Sequence, residues 1–537
     1  MRKLAIGIYD NPLKQEQSIF NIDLLKNNII VFGGPMTGKT TFLKTLLVRI
    51  HENAFQNNNI EEEIYILDFG NSLGAYSNLY NICGYFNSSN EENIKRVFKV
   101  IAEKMNINSN RLSECNQNFV AYCECSKEKD LHHITFIIDN ANAFFSENTY
   151  TTYQETLLEF CRDGLSKGIT IILTANDTGI SNKFLSNFGQ KVAFQVPNDK
   201  YIEIFGSRTN QPMCFKGRGL ATIDSNILEF QCFLPFKDES TELSSFIDST
   251  NQNKEKNPNR LISFDGDLTF ENLKKYTSSN IPKDKAIVGL DYYHHLPIGI
   301  NLKENKVIAI YGKKNFGQIN LLNILVKYII EHQKEIFHFD NDTDKCNIVL
   351  FDDGRKQLED IKKSSNVLNS SNIQYFLKIN EFKDYIDNNH MIIHRANHTI
   401  RENRQEILVP IQETPNTVFI IQNKMFFQNA PLINVFSSLV SQATDYNYIF
   451  IYSDIPLISE AEIASKFNST ILNAFLLDNI SEFVNNKSKN TIFQNMNAKE
   501  LKEKYAKCER GDGYYYDFDT DTIEKLKFIK LNSLDNN

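Results

Sequence analysis

Nine consecutive residues carry the plainest chemistry in this chain: Gly33-Gly34-Pro35-Met36-Thr37-Gly38-Lys39-Thr40-Thr41. Gly33 and Gly38 enclose four residues and are followed by a lysine and two threonines. In that spacing the glycines let the backbone curl, so that successive N–H groups converge on phosphate oxygens. Lys39 then reaches the β- and γ-phosphates, and the Thr40 hydroxyl ligates Mg²⁺. The motif predicts a site for ATP with Mg²⁺ over the whole run from Gly33 to Thr41.

A second candidate is Asp139, which ends the apolar run Ile134-Thr135-Phe136-Ile137-Ile138. A carboxylate at that place holds Mg²⁺ through water. Asn140 follows, where many ATPases of this type carry a glutamate that activates the attacking water. An amide accepts no proton at neutral pH, although it can orient a water, so the expectation is nucleotide binding with slow or no hydrolysis. Asp68, at the end of Ile64-Tyr65-Ile66-Leu67, is a substitute base, a strand-end carboxylate near the Mg²⁺ shell, or a plain turn residue. Thr174 and Asn176 stand where a γ-phosphate is sensed, or are a polar strand end. Arg162 and Arg218 read first as surface arginines paired with carboxylates, and second as arginines acting in trans. The pairs His132-His133 and His294-His295 read as structural.

The layout returns as Gly312-Lys313-Lys314-Asn315-Phe316-Gly317-Gln318-Ile319. Gln318 now stands for the lysine and Ile319 for the hydroxyl residue, and Gln422 stands where Asp139 was. A triphosphate carries about four negative charges, and lysine with Mg²⁺ normally neutralises much of that. Lys313 and Lys314 offer only loose compensation. No hydrolysis and at best weak nucleotide binding are expected here. What remains is a docking or assembly surface, or simple decay.

Strands and helices must position these groups. Gly33 and Gly312, like Gly38 and Gly317, are 279 residues apart, and Asp139 and Gln422 are 283 apart. Matching extended pieces surround them: Leu4–Asp10 with Ala286–Asp291, Phe20–Asp23 with Ile298–Asn301, Ile64–Asp68 with Ile348–Asp352, and Ile169–Thr174 with Tyr448–Ser453. Each half closes on a glycine turn, Gly217-Arg218-Gly219 or Gly511-Asp512-Gly513. A near-constant offset over several markers reads as tandem duplication. Near-continuous apolar strands alternating with helical patterns predict α/β domains, each a mostly parallel sheet between helices, with ligands at the carboxyl ends of the strands.

The length of 537 residues fits two such domains. The boundaries read as 1–237 and 286–532, with a polar linker over 238–285 and a disordered tail over 533–537. The stretch Leu268–Lys275 is a short helix within that linker. Net charge is −8, which gives no overall basic bias towards nucleic acid. Nine scattered cysteines form no C-x-x-C pair and fit reduced thiols in a cytosolic compartment. No apolar run approaches the ~18 residues that span a bilayer, so a soluble chain is expected.

In order, these pieces resemble the second and third ATPase domains of the type VII (ESX/Ess) secretion ATPases, the EssC/EccC proteins, which are FtsK/SpoIIIE-like. Supporting residues are Ile6 to Gln17, the Gly33–Thr41 loop, Ile66-Leu67-Asp68-Phe69-Gly70, Ile138-Asp139-Asn140, Asp163 to Ile169, Gly217-Arg218-Gly219 and Val288-Gly289-Leu290-Asp291. The resemblance implies two RecA-type P-loop domains at the cytoplasmic end of a membrane-anchored bacterial secretion motor. It implies that the membrane part and a more active first ATPase domain lie outside this sequence. The last domain resembles a receptor for the C-terminal signal of small secreted helical-hairpin substrates. Implied partners are those substrates, other secretion components and further copies of the chain. The competing readings are a DNA translocase, against which the net charge, Asn140 and the altered second site all speak, and a nucleotide-independent interaction protein, against which the Gly33–Thr40 loop speaks.

Overall fold

The structure, a computed structural model, describes residues 3–56, 62–87, 91–125, 131–147, 150–251, 257, 260–261, 263–264, 266–277, 279–312, 316–339, 341, 344–363, 371–390, 416–441, 447–453, 471, 473–478, 508–517 and 522–531. The chain forms two compact units, Met1–Ser263 and Phe264–Asn537.

The first unit is built on ten strands: β1 (Lys3–Asn11), β2 (Glu16–Asp23), β3 (Ile29–Phe32), β4 (Glu62–Asp68), β5 (Ile82–Phe86), β6 (His133–Asp139), β7 (Ile169–Ala175), β8 (Gln190–Ala193), β9 (Arg218–Ile223) and β10 (Asn226–Cys232). They lie in the order β2-β1-β10-β9-β8-β3-β7-β6-β4-β5. From β8 to β5 the pairings are parallel. The other pairings, from β8 through β9, β10 and β1 to β2, are antiparallel, so the sheet is mixed.

Every residue of β3, β4, β6 and β7 is buried, because helices cover both faces. The pleat divides each strand between two apolar layers. Ile29 and Val31 face a layer containing Phe42, Leu46 and Phe194. Ile30 and Phe32 face another containing Phe98, Phe136 and Phe160. Helix Lys39–Gln56 buries Phe42, Leu43, Leu46, Leu47 and Ile50 on one stripe, which seats it on the first layer. Gly7 is required where β1 crosses β10, since a Cβ there would lie 2.3 Å from the Gln231 carbonyl oxygen.

The second unit repeats this plan. Its strands are β11 (Ala286–Asp291), β12 (Pro297–Ile300), β13 (Val307–Gly312), β14 (Asn347–Asp352), β15 (Asn372–Phe376), β16 (Thr417–Gln422), β17 (Tyr448–Ser453), β18 (Asn473–Leu477), β19 (Asp512–Asp517) and β20 (Thr522–Phe528). Their order, β12-β11-β20-β19-β18-β13-β17-β16-β14-β15, is that of the first sheet strand for strand. The duplication read from the spacing is therefore a duplication of topology.

The stretch 238–285 is not a free linker throughout. Helix Glu239–Asn251 places Leu243, Phe246 and Ile247 on the first unit's apolar layer. Arg260 donates to the Ser77 carbonyl at 3.0 Å, and Leu261 packs beside the other layer. Leu268 and a short helix, Leu273–Tyr276, belong to the second unit, where the Lys530 N–H donates to the Leu268 carbonyl at 2.7 Å. The overall polarity of the stretch hid a few apolar residues at helical spacing. The tail over 533–537, with Lys313, Lys314 and Asn315, lies outside the described residues.

Candidate nucleotide-binding site

The first loop is held at its opening by the end of β7 and by the chain just beyond β8. Gly33 N–H donates to the Ala175 carbonyl at 3.1 Å, and Gly34 N–H to that of Gln195 at 2.9 Å. Thr37 closes the turn by donating its hydroxyl to the Gly34 carbonyl at 2.9 Å. Gly38 has φ +124°, and a Cβ there would sit 3.1 Å from Gly217 Cα. Gly217 N–H donates to the Thr37 carbonyl at 3.3 Å, so the Gly-Arg-Gly turn buttresses the loop. Lys39 opens the helix and folds its ammonium back, donating to the carbonyls of Gly33 and, at 2.9 Å, Gly34. Burial pushes the Lys39 pKa down, and the charge of Asp139 only partly opposes that. Pro35 and Met36 lie exposed at the tip.

Asp139 and Asp68 face each other in register at the carboxyl ends of β6 and β4. Thr174 donates its hydroxyl to Asp139 Oδ1, and Ser72 donates to Oδ2 at 3.1 Å. Burial raises the Asp139 pKa more than these hydrogen bonds lower it. Asp68 is bound up differently. Its Oδ1 accepts from Gly70 N–H at 3.1 Å, and its Oδ2 accepts from Leu73 N–H at 2.7 Å and the Tyr85 hydroxyl at 2.8 Å. It ties down the loop after β4.

Asn140 caps helix Ala141–Ser146, its Oδ1 accepting from Asn142 N–H at 3.1 Å. Asn142 in turn accepts from Asn176 N–H at 2.8 Å and donates to Asp177 at 2.7 Å. Asn176 is thus exposed beside the Asp139 strand end, whereas Thr174 is buried and holds the carboxylate itself. Sequence reasoning missed Ser72 and Asn142. The only signal for either was proximity to a strand-ending acid.

Arg162 is exposed and paired with Asp163 at 2.7 Å, and Arg218 donates to Glu229 at 2.8 Å. The carboxylate partners are as expected. His132 meets Glu63 at 2.6 Å and His133 meets Glu62 at 2.7 Å, at the opposite strand ends from Asp139. Those acids sit on the neighbouring strand, which is why linear spacing did not reveal them. His295 is buried, with Nδ1 3.1 Å from the Tyr276 carbonyl oxygen, while His294 donates its backbone N–H to Asp291 at 2.7 Å.

The residues present fit a magnesium nucleotide. Burial works against the charge of Lys39 and of Asp139 alike, and phosphate oxygens beside one with a cation beside the other would relieve both. Among the described residues no group of three or more His, Cys, Asp or Glu could hold a metal ion.

The second site keeps the contact to the opening glycine and has an amide in place of the lysine. Gly317, at φ +107°, precedes helix Gln318–Phe337, and Gln318 Nε2 donates to the Gly312 carbonyl at 3.1 Å. Ile319 follows in the first turn. Gln422 donates to Gln357 Oε1 at 2.6 Å. Asp352 repeats Asp68, accepting from Leu358 N–H at 2.8 Å and the Tyr375 hydroxyl at 3.0 Å. Asn423 repeats Asn140, accepting from Met425 N–H at 2.9 Å. A cleft of about 630 Å³ opens beside Gly317, Gln318 and Ile319, flanked by Arg510 and Lys530.

Two copies of a strand, glycine loop and helix on a parallel sheet core define a tandem P-loop ATPase fold. The comparisons with known proteins point to the relatives that the motifs suggested. The chain is 25% identical over 341 residues to the ESX secretion system protein EccC of Geobacillus thermodenitrificans, covering 62% of this chain and 23% of that protein. It is 22% identical over 346 residues to the type VII secretion system protein EssC of Staphylococcus aureus, covering 61% and 22%. The chain thus spans about a quarter of the length of the curated relatives it matches. Its fold is that of EssC ATPases 2 and 3 from Geobacillus thermodenitrificans, with TM-score 0.73, 20% identity and 99% and 97% coverage of the two chains. It is also that of Thermomonospora curvata EccC ATPases 2 and 3 in complex with a signal sequence peptide, with TM-score 0.61, 16% identity and 99% and 93% coverage. No family model matches the sequence. Among the described residues no helix is long and apolar enough to cross a membrane.

Proposed function

We propose that the chain is an ATP-binding recruitment and assembly module of a type VII protein secretion motor. The first unit binds MgATP at Gly33–Thr41, with Thr40 and, through water, Asp139 on the metal, and it hydrolyses slowly or not at all. The second unit is an ATPase-like docking domain without hydrolysis. The observation that carries this reading is the difference between Lys39 and Gln318, two residues at one place in one topology. Lys39 brings a cation to the loop and Gln318 only an amide.

Slow hydrolysis follows from Asn140, whose amide oxygen is engaged in a helix cap and cannot take a proton. Docking by the second unit is supported by its repeat of the first unit's strand order around a loop that lacks the P-loop lysine, and by the relative solved with a signal sequence peptide. The motor's membrane side, the secreted helical-hairpin substrates and a homo-oligomer belong to the same proposal.

Calorimetry of the whole chain tests it. MgATP should bind the wild type at about one site per chain, and Lys39→Ala should abolish that heat. Capture by immobilised C-terminal signal peptides should survive Lys39→Ala. Two equally tight sites, or none, would refute the reading.

A further inference from the structure

Phe215 is 64% exposed, yet its backbone is fixed. Its N–H donates to the Met213 carbonyl at 2.8 Å, and its own carbonyl accepts from Arg218 N–H at 3.1 Å. Gln231 Nε2 donates to the Lys216 carbonyl at 3.1 Å, and Gly217 is bonded to the phosphate loop through Thr37. A large apolar ring is therefore held in solvent on a turn built into the nucleotide cradle. Met213, on the same turn, is 60% exposed. Exposing these side chains forgoes the burial that would stabilise the fold, and no packing role in the unit accounts for them.

The second unit provides the contrast. Gly511 opens the turn equivalent to that at Gly217, and the residue two places before it is Glu509, not an aromatic. Glu509 N–H donates to Asp512 Oδ2 at 3.0 Å, so that turn is fixed too. The unit with the lysine has the ring, and the unit without the lysine has a carboxylate.

We infer that Phe215, flanked by Met213, is the platform on which the nucleobase of the bound nucleotide stacks. The inference rests on the phosphate site proposed above and adds the far end of the same ligand. The loop anchors the phosphates, and the turn bonded to that loop offers the flat apolar surface that a base requires. Stacking on an aromatic face is tolerant of base identity, so the platform favours a nucleotide over a bare polyphosphate more than it favours one base over another.

Isothermal titration of the full chain with MgADP and with magnesium tripolyphosphate, which has no base, tests this. Phe215→Ala should weaken MgADP about tenfold and leave tripolyphosphate unchanged, while Phe215→Tyr should keep wild-type affinity for both. Unaltered MgADP binding by Phe215→Ala, or equal weakening of the two ligands, would overturn the platform alone. A wild type that bound neither ligand would overturn the phosphate site, and the platform with it.

Discussion

Lys39 and Gln318 begin equivalent helices, and each donates a side-chain hydrogen bond to the carbonyl of its loop's opening glycine, Gly33 or Gly312. The glutamine thus keeps the contact that closes the loop and discards the charge that a phosphate would meet. Shape and electrostatics, joined in one side chain in the first unit, are separated in the second.

Lys39→Gln makes the same separation in the first unit. It should melt within a few degrees of the wild type, because an amide can still reach the Gly33 carbonyl. Its affinity for MgATP should fall roughly a hundredfold, since a charge-assisted contact to phosphate is lost. Thermal melts beside calorimetry check this, and a large loss of stability would show that the charge, not the hydrogen bond, holds the loop.

Thr174→Val removes the hydroxyl that donates to Asp139 while keeping the shape. The buried carboxylate loses a partner, which should cost about 1–3 kcal/mol of stability. Nucleotide affinity in the presence of Mg²⁺ should drop, and affinity in EDTA should not. Equal losses in both conditions would mean that Thr174 acts on the loop and not through the metal carboxylate.

The pH dependence of the site follows from Asp139, whose pKa burial raises above the ordinary aspartate range. In the ligand-free chain the raised value means that the folded state holds this proton more tightly than the unfolded chain. The group's contribution to stability is thus present in acid and is lost as pH rises through the folded pKa. Metal binding runs the other way, because Mg²⁺ needs the carboxylate. The Mg²⁺-dependent part of nucleotide affinity should fade on acidification, and earlier than an ordinary aspartate would allow. Asp139→Asn should show no such slope.

His390 sets a pH limit on the second unit. Burial pushes its pKa down to about 4, and its Nδ1 lies 2.9 Å from the Tyr448 hydroxyl. The unfolded chain takes up this proton near the ordinary histidine value and the folded chain only near 4. Stability supplied by the neutral ring is therefore full above the ordinary value and is lost as pH falls towards 4, by roughly 3 kcal/mol in all. Denaturant melts of wild type and His390→Gln across that window should converge in acid. Parallel curves would remove His390 from the account.

The repeated topology could be read from the chain because each marker was a short apolar run tied to a glycine or an acid, and the offsets survived. The phosphate loop was legible for the same local reason. What escaped depended on side chains meeting across strands. Ser72 and Thr174 converge on Asp139 from two different strand ends, and Glu62 and Glu63 reach His133 and His132 from an adjacent strand. Asp68 looked like a candidate base because a strand-ending acid beside a Walker B strand invites chemistry. Its hydrogen bonds to two N–H groups after β4 tie it to that loop, which no spacing could announce. The residues 238–263 were misjudged because composition was weighed there and periodicity was not.

The carboxylate clamp after β4, Asp68 with Leu73 and Tyr85, recurs after β14 as Asp352 with Leu358 and Tyr375. The second unit has it together with Gln318 and Gln422 at the places of Lys39 and Asp139. Such a clamp holds the loop after its strand whether the neighbouring strand ends in an acid, as β6 does, or in an amide, as β16 does.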